Sequence, residues 1–223
     1  VQDAAKLRGI DPIDHCNEMT KRFTSLWDKL HISNNDFIRT TEKRHKKVVR
    51  EILNIVNDAG DIYIDEYEGL YSISEERFIT EKEAENGQFR DIKKLKEKNY
   101  FFKMSKYQNA LINHINTNPE FIQPEHRKNE ILGFLQQPLN DLCISRPKSR
   151  LNWGIDLPFD KDYVTYVWFD ALINYITAAG YNQNDKIFEK RWPADMHLIG
   201  KDILTTHAVY WPTILMSAGI ELP

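Results

Sequence analysis

Apolar side chains recur three and four residues apart through the first sixty positions, a spacing that predicts helices. Asp11 before Pro12 is a typical helix start, and Gly60 is a typical helix end. The predicted elements are helices over Val1–Leu7, Pro12–Leu30 and Glu42–Ala59 and a short strand over Asp36–Thr40.

After Gly60 the chain becomes rich in β-branched and aromatic residues, which favour strands. A turn is predicted at Glu68-Gly69, and the charged stretch that follows is expected to be exposed or loosely ordered. The predicted elements are a β-rich stretch over Ile62–Thr80, the charged stretch Glu81–Lys98, a strand over Asn99–Lys103, and helices near Ser105–Ile115 and Pro124–Gln137.

In the final third, apolar strands run directly into helices, which is typical of a parallel, doubly wound α/β sheet with its ligand site at the strand ends. The β-rich middle is interpreted as a small mixed α+β insertion into that sheet. The predicted elements are a strand over Leu142–Arg146, an extended segment over Asn152–Leu157, the strand Val164–Phe169 with the helix Asp170–Ala179, and the strand Met196–Gly200 with a helix near Asp202–Ala218.

Composition places the chain among ordinary globular proteins. Of its 223 residues 41% are hydrophobic and 12% aromatic, which excludes a disordered tail, and the net charge of −3 does not favour a protein that coats nucleic acid. The two cysteines, Cys16 and Cys143, form no CxxC pair that a zinc knuckle would need. No signal peptide or membrane-spanning apolar run is evident, so we expect a cytoplasmic protein without a membrane partner.

The last strand and helix carry the first group of candidate binding residues. Gly200 ends the predicted strand, Lys201 follows it, and Asp202 can cap the helix and bind a ribose hydroxyl. The free backbone N–H groups of the first helical turn favour an anion. Further candidates are Ile203, His207 and Trp211, which lie four residues apart on one helix face. A plain strand–turn–helix with one buried histidine explains the same pattern.

Two other strand ends carry candidates. Asp170 stands at the predicted cap of the next helix, where Ala171 and Tyr175 can face the same cleft as Trp168. An aromatic core strand with a good cap is an equal alternative. Arg146 ends a strand, where a guanidinium could bind a phosphate, although a surface ion pair is the commoner role of a lone arginine.

Taken together and in this order, the motifs resemble those of the methionyl-tRNA synthetases over nearly the whole chain. The motifs are Asp36–Thr41, Arg44–Val49, Gly60–Tyr63, Tyr67–Tyr71, Phe101-Phe102 with Ser105–Tyr107, Ile144–Arg146, Val167–Ala171 and His197–Pro212.

The resemblance implies an ATP-dependent ligase with a Rossmann-type catalytic domain, which forms methionyl-adenylate and passes the amino acid to tRNA(Met), with Mg²⁺ accompanying ATP. It implies a methionine pocket, an ATP site at Gly200, Lys201 and Asp202, and catalytic roles for Arg146 and Lys201. The pocket residues would be Trp168, Ala171, Tyr175, Ile203, His207 and Trp211. The predicted divisions are 1–61 and 145–223 for two parts of the catalytic domain and 62–144 for the connective insertion.

Three departures from the family pattern matter. Ser72 and Glu75 stand where a first CxxC would fall, so no structural zinc is expected. Lys103–Lys106 spells most of the KMSKS signature, but its place in the insertion favours a helix cap at Ser105 and solvated lysines. The HIGH and KMSKS signatures themselves are expected outside this chain, in a longer protein, so these 223 residues alone are expected to be inactive.

Two alternatives stay open. One is a synthetase for another apolar amino acid, although such enzymes usually carry a larger insertion. The other is a non-catalytic RNA-binding or scaffold module, for which the basic stretch Lys93–Lys98 is a candidate RNA contact.

Overall fold

The computed structural model describes residues 1–72, 77–79, 84–85 and 91–223. The chain divides into two compact units, Val1–Phe37 and Ile38–Pro223. The mixed α/β class predicted from the sequence is confirmed, whereas the predicted divisions at 61/62 and 144/145 stay predictions. No helix within the described ranges is long and apolar enough to cross a membrane.

The first unit is a pair of helices, α1 (Gln2–Arg8) and α2 (Pro12–Lys29), which pack on each other. Arg8 of α1 forms an ion pair with Glu18 of α2. Phe37 at the end of the unit meets the Trp27 ring edge to face, with centroids 5.0 Å apart. The strand predicted over Asp36–Thr40 is wrong, because these residues have no strand partner among those described.

The second unit begins with α3 (Lys43–Asp58), whose predicted apolar stripe is buried except at its end, where Ile55 is half-buried and Ala59 is exposed. The buried side chains on this stripe are Val48, Val49, Ile52, Leu53 and Val56. The helix is followed by Gly60 in the left-handed region at φ 72°, a backbone conformation in which glycine avoids a Cβ clash. The chain can therefore turn directly into the first strand.

An antiparallel sheet with strand order β2-β1-β3-β4 follows α3. Its strands are β1 (Ile62–Ser72), β2 (Arg77–Ile79), β3 (Ile92–Phe102) and β4 (Leu142–Cys143). The turn predicted at Glu68-Gly69 is wrong, because β1 continues through both residues and pairs Gly69 with Leu95. Of the charged stretch Glu81–Lys98, predicted to be exposed or loosely ordered, residues 81–83 and 86–90 lie outside the described residues. From Ile92 the stretch forms β3, which pairs with β1 along its whole length, and Lys94 and Lys96 add cross-strand ion pairs with Glu68 and Glu66.

Helices and a second small sheet complete the middle of the chain. A 3₁₀ turn (Met104–Tyr107) leads into α4 (Gln108–Thr117), and α5 (Glu125–Phe134) follows. The predicted strand Leu142–Arg146 is divided between β4 and β5 (Ser145–Pro147), and β5 pairs antiparallel with β6 (Tyr163–Thr165). Every strand pair in the described ranges is antiparallel, so the parallel sheet stays a prediction.

The final third is helical. Its elements are α6 (Val167–Leu172), α7 (Asn174–Ala179), α8 (Asp185–Arg191), a 3₁₀ turn (Lys201–Ile203), a π-helical segment (Thr206–Tyr210) and α9 (Trp211–Ala218).

Two strand predictions in this third are wrong. The strand predicted to end at Phe169 already ends at Thr165. Tyr166 occupies the N-cap position of α6, so Asp170 lies inside that helix. Residues Met196–Gly200 form no strand in the described structure, and the side chains of Met196 and Leu198 are 77% and 92% exposed. Apolar alternation alone does not make a strand, since a strand requires a neighbouring backbone with which to pair.

A buried carboxylate holds the second unit together. Asp61, 1% exposed, accepts hydrogen bonds from Lys106 Nζ at 2.6 Å, from the Tyr107 hydroxyl, and from Ser217 Oγ at 2.8 Å. Burial raises the pKa of Asp61, but these donors outweigh it and hold the pKa below its usual value. Asp61 therefore joins the start of β1 to the first 3₁₀ turn and to α9.

These contacts correct two predictions about the Lys103–Lys106 stretch. Lys106 is exposed, as predicted, but its ammonium is also the ion-pair partner of the buried Asp61. Lys103 is half-buried, and its Nζ donates to the Gly60 carbonyl oxygen at 2.8 Å. Ser105 does not cap a helix, because it lies inside the 3₁₀ turn, where its backbone N–H donates to Asp141 at 3.0 Å.

We expect Asp61→Ala to lower the free energy of unfolding by roughly 3–5 kcal/mol, because it leaves three donors without their acceptor. Ser217→Ala, which removes one donor, should cost only about 1 kcal/mol. Because the folded pKa of Asp61 is depressed, its contribution is complete above pH about 4 and is lost as pH falls below that. Urea denaturation across a pH series measures both effects, and equal losses in the two variants would contradict this role.

Candidate functional site

Aromatic rings from three segments meet in the final third of the chain. Tyr175 of α7 lies with its ring centroid 4.3 Å from that of His197, 5.6 Å from His207 and 6.0 Å from Trp211. Trp192 closes the far side, with its centroid 6.0 Å from Trp211 and 6.1 Å from His197. These five side chains, here called the aromatic cluster, include three of the predicted pocket residues.

The hydrogen bonds of His207 define its tautomer. Its Nδ1 lies 2.9 Å from the Ile203 carbonyl oxygen, which can only accept, so Nδ1 carries the proton. Burial lowers the pKa of His207, so the ring is neutral near pH 7 and Nε2 is an acceptor. The Tyr175 hydroxyl, 2.7 Å away, therefore donates to His207 Nε2. Both polar hydrogens of this pair are already engaged within the protein.

The local backbone around His207 is unusual. Residues Thr206–Tyr210 form a π-helical segment directly before α9, where the sequence predicts a single continuous helix from Asp202. The predicted trio Ile203, His207 and Trp211 is still brought together, since His207 bonds to Ile203 and Trp211 lies in the same ring cluster. π-Helical segments within helices occur frequently at functional sites.

His197 is a member of the aromatic cluster that sequence reasoning missed. Its Nε2 accepts from Trp211 Nε1 at 3.4 Å. Burial and then the neighbouring His207 lower the pKa of His197 to about 4. Met196 and Leu198 are exposed while His197 and Ile199 are half-buried, an alternation that the sequence does not predict because it leaves two apolar side chains in solvent.

Trp168 and Ala171 lie on α6, which packs against the π-helical segment. Both side chains are half-buried. Within the helix Asp170 lies about 200° around the axis from Trp168, so the two side chains are directed to nearly opposite sides. The structure thus places Trp168 and Ala171 beside the segment that carries His207, as the sequence predicts.

Asp170 holds the opposite side of α6 in place. Its Oδ1 accepts a hydrogen bond from Nε2 of the fully buried His45 of α3 at 2.6 Å. His45 Nδ1 lies 3.4 Å from the Thr177 hydroxyl of α7. The predicted cap role of Asp170 is wrong. Its carboxylate instead accepts a hydrogen bond from His45 and so helps to connect α3, α6 and α7. Sequence analysis did not single out His45, whose partners lie more than 120 positions away.

Gly200, Lys201 and Asp202 form an exposed corner beside the aromatic cluster. Gly200 precedes the 3₁₀ turn with extended backbone at φ −73°, and nothing described lies within 4 Å of where a Cβ would stand. Lys201 and Asp202 are both exposed inside the short turn. The predicted cap role of Asp202 is wrong, because its side chain makes no capping hydrogen bond. Its carboxylate is therefore open to solvent.

Arg146 is buried rather than engaged in a surface ion pair. Only 3% of it is exposed, and its guanidinium lies 3.7 Å from the centre of the Tyr166 ring. One guanidinium nitrogen donates to the Ser145 carbonyl oxygen at 2.7 Å and to Cys143 Sγ at 3.1 Å. The structure therefore does not bring Arg146 together with the aromatic cluster in any described contact, and its phosphate role stays a prediction.

Within the described ranges no group of three or more histidine, cysteine, aspartate or glutamate side chains could hold a metal ion. Ser72 is buried in β1, whereas Glu75 lies outside the described residues. The expectation of no structural zinc stays a prediction.

Sequence and structure comparisons agree on the family. The family model described as class I tRNA synthetases (M) matches residues 1–88 and 86–223. The chain belongs to the class I tRNA synthetases. Its similarity is to members named for methionine: it is 50% identical over 229 residues to a methionine–tRNA ligase of Clostridium perfringens and 49% identical over 231 residues to that of Fusobacterium nucleatum.

A solved class I synthetase shows the same fold. The crystal structure of Mycobacterium tuberculosis methionyl-tRNA synthetase bound by methionyl-adenylate is 42% identical with a TM-score of 0.93, and the match covers 100% of this chain and 46% of that one. The whole chain is also matched in the two ligases, yet it spans only 35% and 36% of their lengths.

The depressed pKa of His197 predicts a pH-dependent stability of this synthetase chain. Unfolded histidine titrates near pH 6.5, so between about pH 4 and pH 6.5 the unfolded state binds more protons than the folded state. The free energy of unfolding should therefore fall as pH is lowered through this window, by up to about 3 kcal/mol from this group. His197→Gln should flatten the profile in urea denaturation, with His31→Gln as an exposed control, and an unchanged slope would contradict the assignment.

Proposed function

We propose that the protein containing this chain activates methionine with ATP, giving methionyl-adenylate and pyrophosphate, and then transfers the methionyl group to tRNA(Met) in the cytoplasm. The observation that carries the proposal is the aromatic cluster with its Tyr175–His207 hydrogen bond. The TM-score of 0.93 to a synthetase bound by methionyl-adenylate supports it.

The aromatic cluster suits a thioether side chain. Methionine sulfur is soft and polarisable and packs well against ring edges. Because the O–H of Tyr175 donates to His207 and the N–H of His207 donates to Ile203, the pair offers the ligand no free polar hydrogen. A side chain that is a strong hydrogen-bond acceptor would find no donor in this pair, which costs free energy where the acceptor loses its water. The pair therefore favours an apolar ligand over a polar one of similar size.

The exposed corner at Gly200–Asp202 is the proposed ATP site. The open Asp202 carboxylate can accept from ribose hydroxyl groups, and the exposed Lys201 ammonium can neutralise phosphate charge. The corner precedes the π-helical segment by three residues, so an adenosine bound there would lie near the aromatic cluster. Lys201 is the proposed catalytic cation, with Arg146 as a second that would have to leave its present contacts.

In the activation step the methionine carboxylate attacks the α-phosphorus of ATP, an acyl–phosphate bond forms, and the bond to pyrophosphate breaks. The residues described here act by positioning the two reactants and by stabilising phosphate charge. Mg²⁺ normally accompanies ATP phosphates and keeps several water ligands. The described residues form no carboxylate cluster for it, so we derive no step through the metal.

The main experiment is methionine-dependent exchange of labelled pyrophosphate into ATP by the full-length protein. We expect Trp211→Ala and His207→Ala to raise the KM for methionine by roughly 10-fold or more, because each opens a buried wall of the aromatic cluster. The KM for ATP should change by about 2-fold at most. Exchange that requires another amino acid, or variants that raise only the KM for ATP, would overturn the proposal.

Discrimination against methionine sulfoxide tests whether the hydrogen bonds of Tyr175 and His207 exclude a polar ligand. The sulfoxide oxygen is a strong acceptor, so we expect kcat/KM for the sulfoxide to be lower than for methionine by a factor of roughly 10–100. Protonation of His207 places a proton on Nε2, which then donates to Tyr175 and releases its hydroxyl hydrogen. Discrimination in the exchange assay should therefore decrease as pH is lowered. His207→Gln, which removes the titrating ring, should abolish this pH dependence, and a pH-independent ratio in the unmodified protein would contradict the mechanism.

A further inference from the structure

Helix α3 has two chemically different faces. One face, which includes Val49 and Ile52, is fully buried against the elements that carry the candidate site. The other face carries four cations at helical spacing, here called the α3 basic face: Lys43, Lys46, Lys47 and Arg50. All are exposed except the half-buried Lys46. The proposed function assigns no task to this face.

Within the described ranges, none of the four cations has an ion-pair partner. In the part of the chain that the structure describes, no carboxylate lies within 4.0 Å of any of their charged nitrogens. The one carboxylate that lines the face, Glu51, accepts a hydrogen bond from Asn182. The chain as a whole has a net charge of −3, so an uncompensated positive face is not a consequence of composition.

The other basic stretch of the chain has a different character. Lys94 and Lys96 on β3 form ion pairs with Glu68 and Glu66 across the strand ladder. The charges of Lys94 and Lys96 are therefore balanced locally. Of the two basic segments, α3 is the one whose four cations all lack an ion-pair partner among the described residues.

The chemistry of the face indicates what it would bind. Its lining is three lysines, an arginine, Glu51 and Asn54, with no aromatic side chain on which a base could stack. Positions 43 to 50 span about 10 Å of helix, since each residue rises about 1.5 Å. A row of cations of this length without stacking groups is suited to several successive phosphates of a polyanion, read by charge and not by sequence.

We propose that the α3 basic face binds the sugar–phosphate backbone of the RNA substrate during aminoacyl transfer. The proposal rests on the proposed function, which supplies a large polyanionic substrate. The buried face of α3 packs against α7 and α9, which carry Tyr175 and Trp211. RNA on the outer face would thus lie on the same helical layer as the aromatic cluster.

The test separates the two half-reactions of the full-length protein. The variant K43Q/K46Q/K47Q/R50Q should keep methionine-dependent pyrophosphate exchange within about 2-fold, because that reaction needs no RNA. Its kcat/KM for tRNA in aminoacylation should fall about 10-fold or more at low salt. The slope of log affinity for tRNA against log salt concentration should become shallower by about 3, because up to four phosphate contacts are lost.

Two controls isolate the position of the charges. K161Q/K186Q/K190Q/R191Q removes an equal number of charges from exposed positions on α8 and in the turn before β6, and it should leave both half-reactions and the salt slope unchanged. K43R/K46R/K47R keeps the charges on α3 and should retain tRNA affinity. Loss of affinity in the arginine variant would overturn a purely electrostatic contact.

The proposal is overturned if the α3 glutamine variant keeps the salt slope of the unmodified protein, or if the α8 control loses as much affinity. Failure of the proposed function has a different signature, namely no methionine-dependent exchange by the unmodified protein. Direct binding of labelled tRNA over the same salt series would then still report whether α3 contacts RNA.

Discussion

The second unit depends on the buried charge of the Asp61 carboxylate. Asp61 lies three residues after the end of α3. Its carboxylate accepts hydrogen bonds from a 3₁₀ turn about 45 positions later and from α9 more than 150 positions later. A buried carboxylate is costly unless it is well paired, so this arrangement is stable only when the three segments are correctly placed. The aromatic cluster depends on that placement, because α9 begins at Trp211.

A second set of buried polar contacts positions the helices that carry the candidate site. His45 joins α3 to Asp170 of α6 and to Thr177 of α7, while Tyr175 and Trp168 belong to the same two helices. An interior histidine with both nitrogens near partners fixes the relative rotation of the helices more narrowly than apolar packing does, since hydrogen bonds are directional. The position of the pocket wall is thus set by contacts that the ligand would never touch.

The spacing of apolar residues predicted the elements whose structure depends mainly on their own sequence, such as α3. The sequence prediction for α3 extends only one residue beyond each end of the observed helix, because its buried stripe repeats over four turns. Segments whose state depends on a partner were predicted less well. Met196–Gly200 has the composition of a strand but no strand partner among the described residues. Ile92–Lys98 has the charge pattern of a loop but pairs with β1 along a backbone ladder. In the candidate site, Tyr175, His207 and Trp211 come together as predicted, whereas His197 and His45 depend on tertiary contacts that spacing does not reveal.

The two faces of α3 suggest why one helix can serve both halves of the proposed reaction without coupling their specificities. Its buried face positions the wall of a pocket that discriminates by hydrogen bonding and shape, a short-range effect that a small shift can destroy. Its outer face carries exposed and half-buried cations, whose attraction to phosphates is long-range and tolerant of position. If the proposed function and the proposed RNA contact both hold, a substitution on the outer face should change RNA affinity and leave methionine selection intact, because the inner face is buried.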